Sequence, residues 1–171
     1  FLIGYCAIVK NRKAYFVLLF TSVFVVNAGY VFLALSKTLP EALLANRISY
    51  LGAVFLPLFM LLIIMDECRI KCSRILCSCL IIASVVVFFI AATPGYNTLY
   101  YRDVTLIFVD GGAKLIKSYG PLHRIYYIYL ATYFLLMIAV IAISWAKHSH
   151  RFSKLAVNLL VLVLGNILVW F

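Results

Sequence analysis

Residues 42–65 read ALLANRISYLGAVFLPLFMLLIIM, an apolar run long enough to cross the roughly 30 Å of a bilayer's hydrocarbon, broken near its start by Asn46 and Arg47. Similar runs stand on both sides of it, at Ala14 to Leu35, Ile75 to Ala92, about Leu122 to Ala146 and Leu155 to Phe171. A shorter apolar piece, Phe1 to Val9, comes first. Whole-chain composition agrees with this reading. Apolar residues make up 67%, aromatics 16% and charged residues only 12%, and the mean hydropathy is +1.12. So few charges cannot coat the core of a soluble domain of this length. The sequence therefore predicts an all-α, polytopic transmembrane bundle of six spans or partial spans. It forms a single domain over 1–171, with the lipid bilayer as its first partner.

The net charge of +10 does not indicate nucleic acid, because the basic residues sit in short clusters between apolar runs. Lys10, Arg12 and Lys13 fill the first connection, Arg69, Lys71 and Arg74 the third, and Lys147, Arg151 and Lys154 the fifth. Alternate connections rich in Lys and Arg are expected on the cytoplasmic side. The second connection, Ser36 to Glu41, and the fourth, Thr93 to Arg124, then face outward. Phe1 and Phe171 both fall inside apolar runs, so the chain is expected to be truncated at both ends.

The fourth connection is the one substantial non-helical segment expected, an extracytoplasmic loop over 93–121. Val104 to Val109 is β-branched and aromatic, Asp110-Gly111 suits a two-residue turn, and Ala113 to Ser118 can return as a second strand. That register places Phe108 opposite Ala113 and Leu106 opposite Leu115. An isolated hairpin is marginal in water, so its apolar face is expected to lie on the outer ends of the helices as a lid.

Polar residues within the spans are the candidates for function, since hydrocarbon penalises them. Leu43, Arg47, Tyr50, Val54 and Pro57 share one helical face, and Pro57 is expected to kink the helix. Arg47 either snorkels to the headgroups or faces the bundle and meets an anion or carboxylate. Asn27 and Asn166 suit interhelical hydrogen bonds. Tyr126, Tyr129 and Tyr133 stack on one face of the fifth run and read mainly as an interfacial belt. His123 is an outward-side imidazole able to titrate near neutral pH. The candidate ligand pocket is Arg47 and Tyr50, with His123 and Tyr127, and Asn27 at its floor.

Catalysis finds no support. Neither a P-loop nor GxSxG, HExxH or paired carboxylates occur, and none of the five acids sits inside a span. Cys68, Cys72, Cys77 and Cys79 cluster at the inner edge of the fourth run. Their spacing to one another and to His148 and His150 fits no zinc pattern, so no metal and no cofactor are expected. Palmitoylation or simple apolar filling are the other readings of these thiols.

Asn46-Arg-Ile-Ser-Tyr-Leu-Gly52 followed by Pro57, Thr93-Pro-Gly-Tyr-Asn-Thr-Leu-Tyr-Tyr101, Tyr119-Gly-Pro-Leu-His123 and Gly165-Asn166 together resemble the N-terminal seven-transmembrane sensory region of bacterial histidine kinases. Related diguanylate cyclase and phosphohydrolase sensors share this region. The resemblance covers essentially the whole chain. It implies a sensory input module in the bacterial plasma membrane, dimeric through the intact protein, with a seventh helix and a cytoplasmic output domain beyond it and an unidentified small-molecule or membrane signal. Relatives carry Thr-Asn and a following His after the fourth helix, whereas this chain has Thr93-Pro94 and then Asn97, so no site is transferred from that His. The rival class is a fragment of a transporter or permease. It calls for inverted repeats or paired Gly/Pro breaks, and only Pro57 answers to that.

Overall fold

The computed structural model describes residues 14–109 and 111–147, together with 158, 161 and 165. Within them the order is α1 (Ala14–Leu35), α2 (Leu39–Glu67), α3 (Arg74–Ala91), β1 (Tyr101–Val109), β2 (Gly112–Tyr119) and α4 (His123–Lys147). The four helices, all long and apolar enough to cross a membrane, correspond to the second to fifth apolar runs. The first run, the sixth run apart from 158, 161 and 165, Asn166, Asp110, the clusters at 10–13 and 147–154, and His148 and His150 lie outside the described residues or the described side chains.

α2 is the central helix. It packs against α1, α3 and α4 and touches both strands. Residues from Ala42 to Met65 on several of its faces are buried, with Val54, Leu58, Leu61 and Ile64 almost wholly enclosed. α2 starts three residues before the apolar run that announced it. The Glu41 carboxylate accepts hydrogen bonds from the backbone N–H groups of Lys37 (2.8 Å) and Thr38 (3.3 Å), and Pro40 occupies the first turn. Both are helix-starting devices, so a stretch read as connection is helix. Pro57 sits inside the helix, which continues past it to Glu67. At that end Arg69 adopts a left-handed φ of 55° while Ile70 N–H donates to the Met65 carbonyl at 2.9 Å, a reverse turn that ends the helix.

α1 lies so close to α2 that small residues are required. A Cβ added at Gly29 would strike Ser49, and one at Gly52 would strike the Ser22 carbonyl oxygen and Val26. Ser22 and Gly29 are the buried residues of α1. Such small-residue contacts are how helices associate where lipid competes equally well for apolar side chains. The rest of α1 presents Phe24, Val31, Phe32 and Leu35 outward. α3 does the same with Ile75, Ile82 and Phe89, and α4 with Ile128 and Leu135. Apolar surface on this scale suits a lipid environment.

The hairpin pairs Leu106 with Leu115 and Phe108 with Ala113, with Gly111 at φ 80° in the turn. β1 starts at Tyr101, earlier than Val104, and carries a register irregularity between Tyr101 and Asp103. The buried face is narrower than an apolar ribbon would give. Ala113 and Leu115 of β2 are buried, whereas Phe108 and Val109 at the tip are exposed. The reason is placement, since β2 is the strand that runs along α1.

Candidate functional site

The strand period brings the decisive residue inward. Ala113, Leu115 and Lys117 alternate on one face of β2, and Lys117 follows the two buried residues under the hairpin. Its Nζ donates to Asn46 Oδ1 on α2 at 2.7 Å and lies 5.4 Å from the ring centre of Tyr101 and 6.0 Å from that of Tyr50. Burial pushes the ammonium below the ordinary lysine value, and no acidic neighbour counters it. Tyr100 and Tyr101, at the start of β1, are pushed up, chiefly by burial. Tyr50 and Tyr101 share a hydrogen bond of 2.7 Å between their hydroxyls. Beside these groups is a cavity of about 70 Å³ whose walls include Tyr30 of α1, Asn46, Ser49 and Tyr50 of α2, Lys117 of β2 and Tyr126 of α4.

His123 opens α4 under the same hairpin, buried among aromatic rings. It stacks on Tyr119 with centroids 4.0 Å apart and planes at 15°, and meets the edges of Tyr100 (5.0 Å) and Tyr127 (4.9 Å). From there a ladder of rings descends α4. Tyr126 and Tyr129 have centroids 6.5 Å apart, and Tyr129 and Tyr133 4.6 Å apart. All three tyrosines are buried in the bundle, so they do not form an interfacial belt. The i, i+3, i+4 spacing that put them on one face also fits a core stripe, and α4 continues it with Leu130, Met137, Ile141 and Ser144.

The lower rungs end in a hydroxyl cluster joining three helices. Tyr129 Oη donates to the Val54 carbonyl of α2 at 2.7 Å, and Tyr133 Oη donates to the Leu80 carbonyl of α3 at 2.9 Å. Ser84 Oγ of α3 lies 2.9 Å from Tyr129 Oη, 3.1 Å from Tyr133 Oη and 2.9 Å from the Leu80 carbonyl. Each tyrosine directs its single hydrogen to a carbonyl, so the one serine hydrogen is shared among three acceptors, the Leu80 carbonyl and the two tyrosine oxygens, and bonds one of them at a time. Val54 lies in the helical turn before Pro57, whose ring crowds the carbonyls preceding it.

The partners of Arg47 are backbone carbonyls and an aromatic ring, not a carboxylate. Its Nε donates to the Ala92 carbonyl (3.0 Å) and Nη2 to that of Pro94 (2.7 Å), while the guanidinium stands 4.5 Å over the Tyr96 ring. It therefore caps the C-terminus of α3, where unpaired carbonyls and the helix dipole favour a cation. Asn27 is exposed and its Nδ2 donates to the Val23 carbonyl of its own helix at 2.8 Å, away from the cavity floor. Tyr50 lines the cavity. His123 and Tyr127 border a second cleft of about 400 Å³ with Arg102, Tyr119 and Arg124. Of the five candidate residues, His123 and Tyr127 thus come together, while Tyr50, Arg47 and Asn27 stand at other places.

Lys117, Asn46, Tyr101 and Ser84 were not among them. The alternation through Ala113 and Leu115 already placed Lys117 inward. Ser84 carried only the weak signal of a small polar residue in register with Leu80, Val87 and Ala91, the buried face of α3. Cys72 and Cys77 stand with their sulfurs 2.8 Å apart as free thiols, and burial, with Cys77 beside it, pushes the Cys72 thiol up to about 11. Among the described residues no three His, Cys, Asp or Glu side chains come together as a metal site.

No curated protein and no solved structure matches the chain. Among protein families, the N-terminal 7TM region of histidine kinase matches residues 1–171, the full length of the chain. With apolar membrane-length helices and a match that leaves no residue outside it, the chain belongs to the family of N-terminal 7TM regions of histidine kinases.

Proposed function

We propose that this membrane input region receives its signal at the hairpin end, on the extracytoplasmic side of a bacterial plasma membrane, and passes it through α4 to a cytoplasmic kinase. The observation that carries the reading is the ring ladder. It starts at the Tyr119–His123 stack under the hairpin and ends on backbone carbonyls of α2 and α3. A shift of the hairpin therefore reaches the contacts that hold three helices in register, which is the kind of packed, two-arrangement element that carries coupling. Orientation follows from Arg69, Lys71 and Arg74 at the opposite ends of α2 and α3, which belong on the cytoplasmic side. The chain's part is recognition and transmission, and phosphoryl transfer belongs to the kinase.

Sidedness tests this directly. With the native cysteines replaced, Gly111→Cys at the hairpin tip is expected to react with an impermeant maleimide added to intact cells, and Lys71→Cys only after the membrane is opened. Labelling of position 111 from the cytoplasmic face alone overturns the reading, because the hairpin would then stand on the kinase side.

A further inference from the structure

The cavity beside Lys117 is rich in hydrogen-bond donors and poor in acceptors. An ammonium carries three donors, and Lys117 directs one to Asn46 Oδ1. Asn46 is 4% exposed, and its Nδ2 is buried with no hydrogen-bond partner. The hydroxyls of Tyr50 and Tyr101 carry two hydrogens, of which their mutual bond uses one. Among the described residues no carboxylate balances this set. Glu41 caps α2, Asp103 faces the Val104 N–H, and Asp66 and Glu67 lie at the far end of α2. Buried donors without acceptors are costly, and a half-buried cation without an anion adds to that cost. A guest that answers all of these groups at once is a small anion with two acceptor oxygens, as on one carboxylate carbon. The volume of about 70 Å³ is near that of two waters at ~30 Å³ each. Tyr30 lines the cavity while 55% exposed, which places its mouth between α1 and the hairpin.

We propose that this cavity binds a small carboxylate of acetate or formate size, one oxygen on Lys117 Nζ and the other on Asn46 Nδ2, with the Tyr50–Tyr101 hydroxyl pair as third donor. Such a ligand joins β2 to α2 beside Tyr126, at the top of the ring ladder. Its role as the signal rests on the hairpin end being the sensing end, whereas its binding does not.

The test is equilibrium dialysis of radiolabelled acetate against the purified full chain in phosphatidylcholine nanodiscs, with sodium chloride held constant. Saturable binding of one acetate per chain, displaced by formate, is the expected result. Lys117→Met is expected to weaken it by about tenfold or more, the loss of one charge-assisted hydrogen bond. Lys114→Met, on the opposite face of the same strand, leaves it unchanged. Asn46→Asp supplies a tethered carboxylate, so it abolishes acetate binding and raises the melting temperature, and it carries the test if Lys117→Met fails to fold. Absence of saturable binding, equal loss in the Lys114 variant, or an Asn46→Asp chain that binds acetate as before overturns the site. Acetate that binds but leaves the attached kinase unmoved keeps the site and removes its role as the signal.

Discussion

Tyr129→Phe deletes one oxygen and nothing else, at the point where α2, α3 and α4 meet. Two contacts go with it: the donation to the Val54 carbonyl at 2.7 Å and the 2.9 Å contact with Ser84 Oγ. Neither partner is stranded. Ser84 keeps the Leu80 carbonyl and Tyr133 Oη as acceptors, and Val54 keeps its place in the hydrogen-bond ladder of α2. The full cost of an orphaned buried group, about 1–3 kcal/mol, is therefore not incurred. What is lost is the hydrogen bond to Val54 and one of the three acceptors open to the serine hydrogen, at about 0.6 kcal/mol per bond on average and about 1.7 at most between membrane helices. The expected destabilisation is about 1 kcal/mol. Ser84→Ala leaves both tyrosines on their carbonyls and should cost less, about 0.5 kcal/mol. The double variant should be less destabilised than the sum, because the two changes remove one shared contact. Reversible unfolding in mixed micelles by dodecyl sulfate, followed by circular dichroism, reads all three, with Tyr15→Phe as an exposed control. If Tyr129→Phe costs no more than that control, or if the serine and tyrosine effects simply add, the hydroxyl cluster does not hold the helices together.

Lys117→Met is expected to stabilise the chain when no anion is added. The folded state holds the Lys117 proton less tightly than the unfolded state, so wild-type stability climbs as pH rises toward the ordinary lysine value, and melting curves at pH 8 and 9.5 should show that climb in the wild type and a flatter one in the variant. Gly52→Val should cost about 3 kcal/mol or more by forcing α1 off α2, whereas Gly111→Ala, with open space around it and only its positive φ to strain, should cost about 1 kcal/mol; chemical denaturation ranks them, and the reverse order refutes the close approach. Cys72, with its thiol pushed up to about 11, should alkylate slowly at neutral pH and gain about tenfold per pH unit to beyond pH 10; a rate that levels near pH 8.5, as for a free cysteine, contradicts its burial.

Apolar run length was enough to place four helices, because crossing hydrocarbon imposes a length that few other folds share. The bounds were less readable. Thr38 to Glu41 is polar enough to look like connection, yet Pro40 and Glu41 are the residues that begin α2. The hairpin register followed from Asp110-Gly111 and strand alternation. Its buried face did not, since that depended on β2 lying along α1. Arg47 was legible as a residue needing a partner, but the partner turned out to be a pair of backbone carbonyls, which carry no side-chain signature. The tyrosines of α4 were assigned to a belt because aromatic rings at a helix start serve either a membrane interface or a core. The burial of Tyr126, Tyr129 and Tyr133 against α2 and α3 decides between them.

The most direct test joins the chain to its kinase domain in nanodiscs and measures autophosphorylation for wild type, Tyr129→Phe and Tyr133→Phe. Gly29→Ala, on the α1–α2 contact away from the ladder, serves as a destabilised comparison. If the ladder transmits the signal, the two tyrosine variants shift the rate by about fivefold or more, the scale of a typical coupling energy, while the glycine variant stays near wild type. Tyrosine variants that match wild type, or that move no further than the glycine variant, contradict transmission through α4.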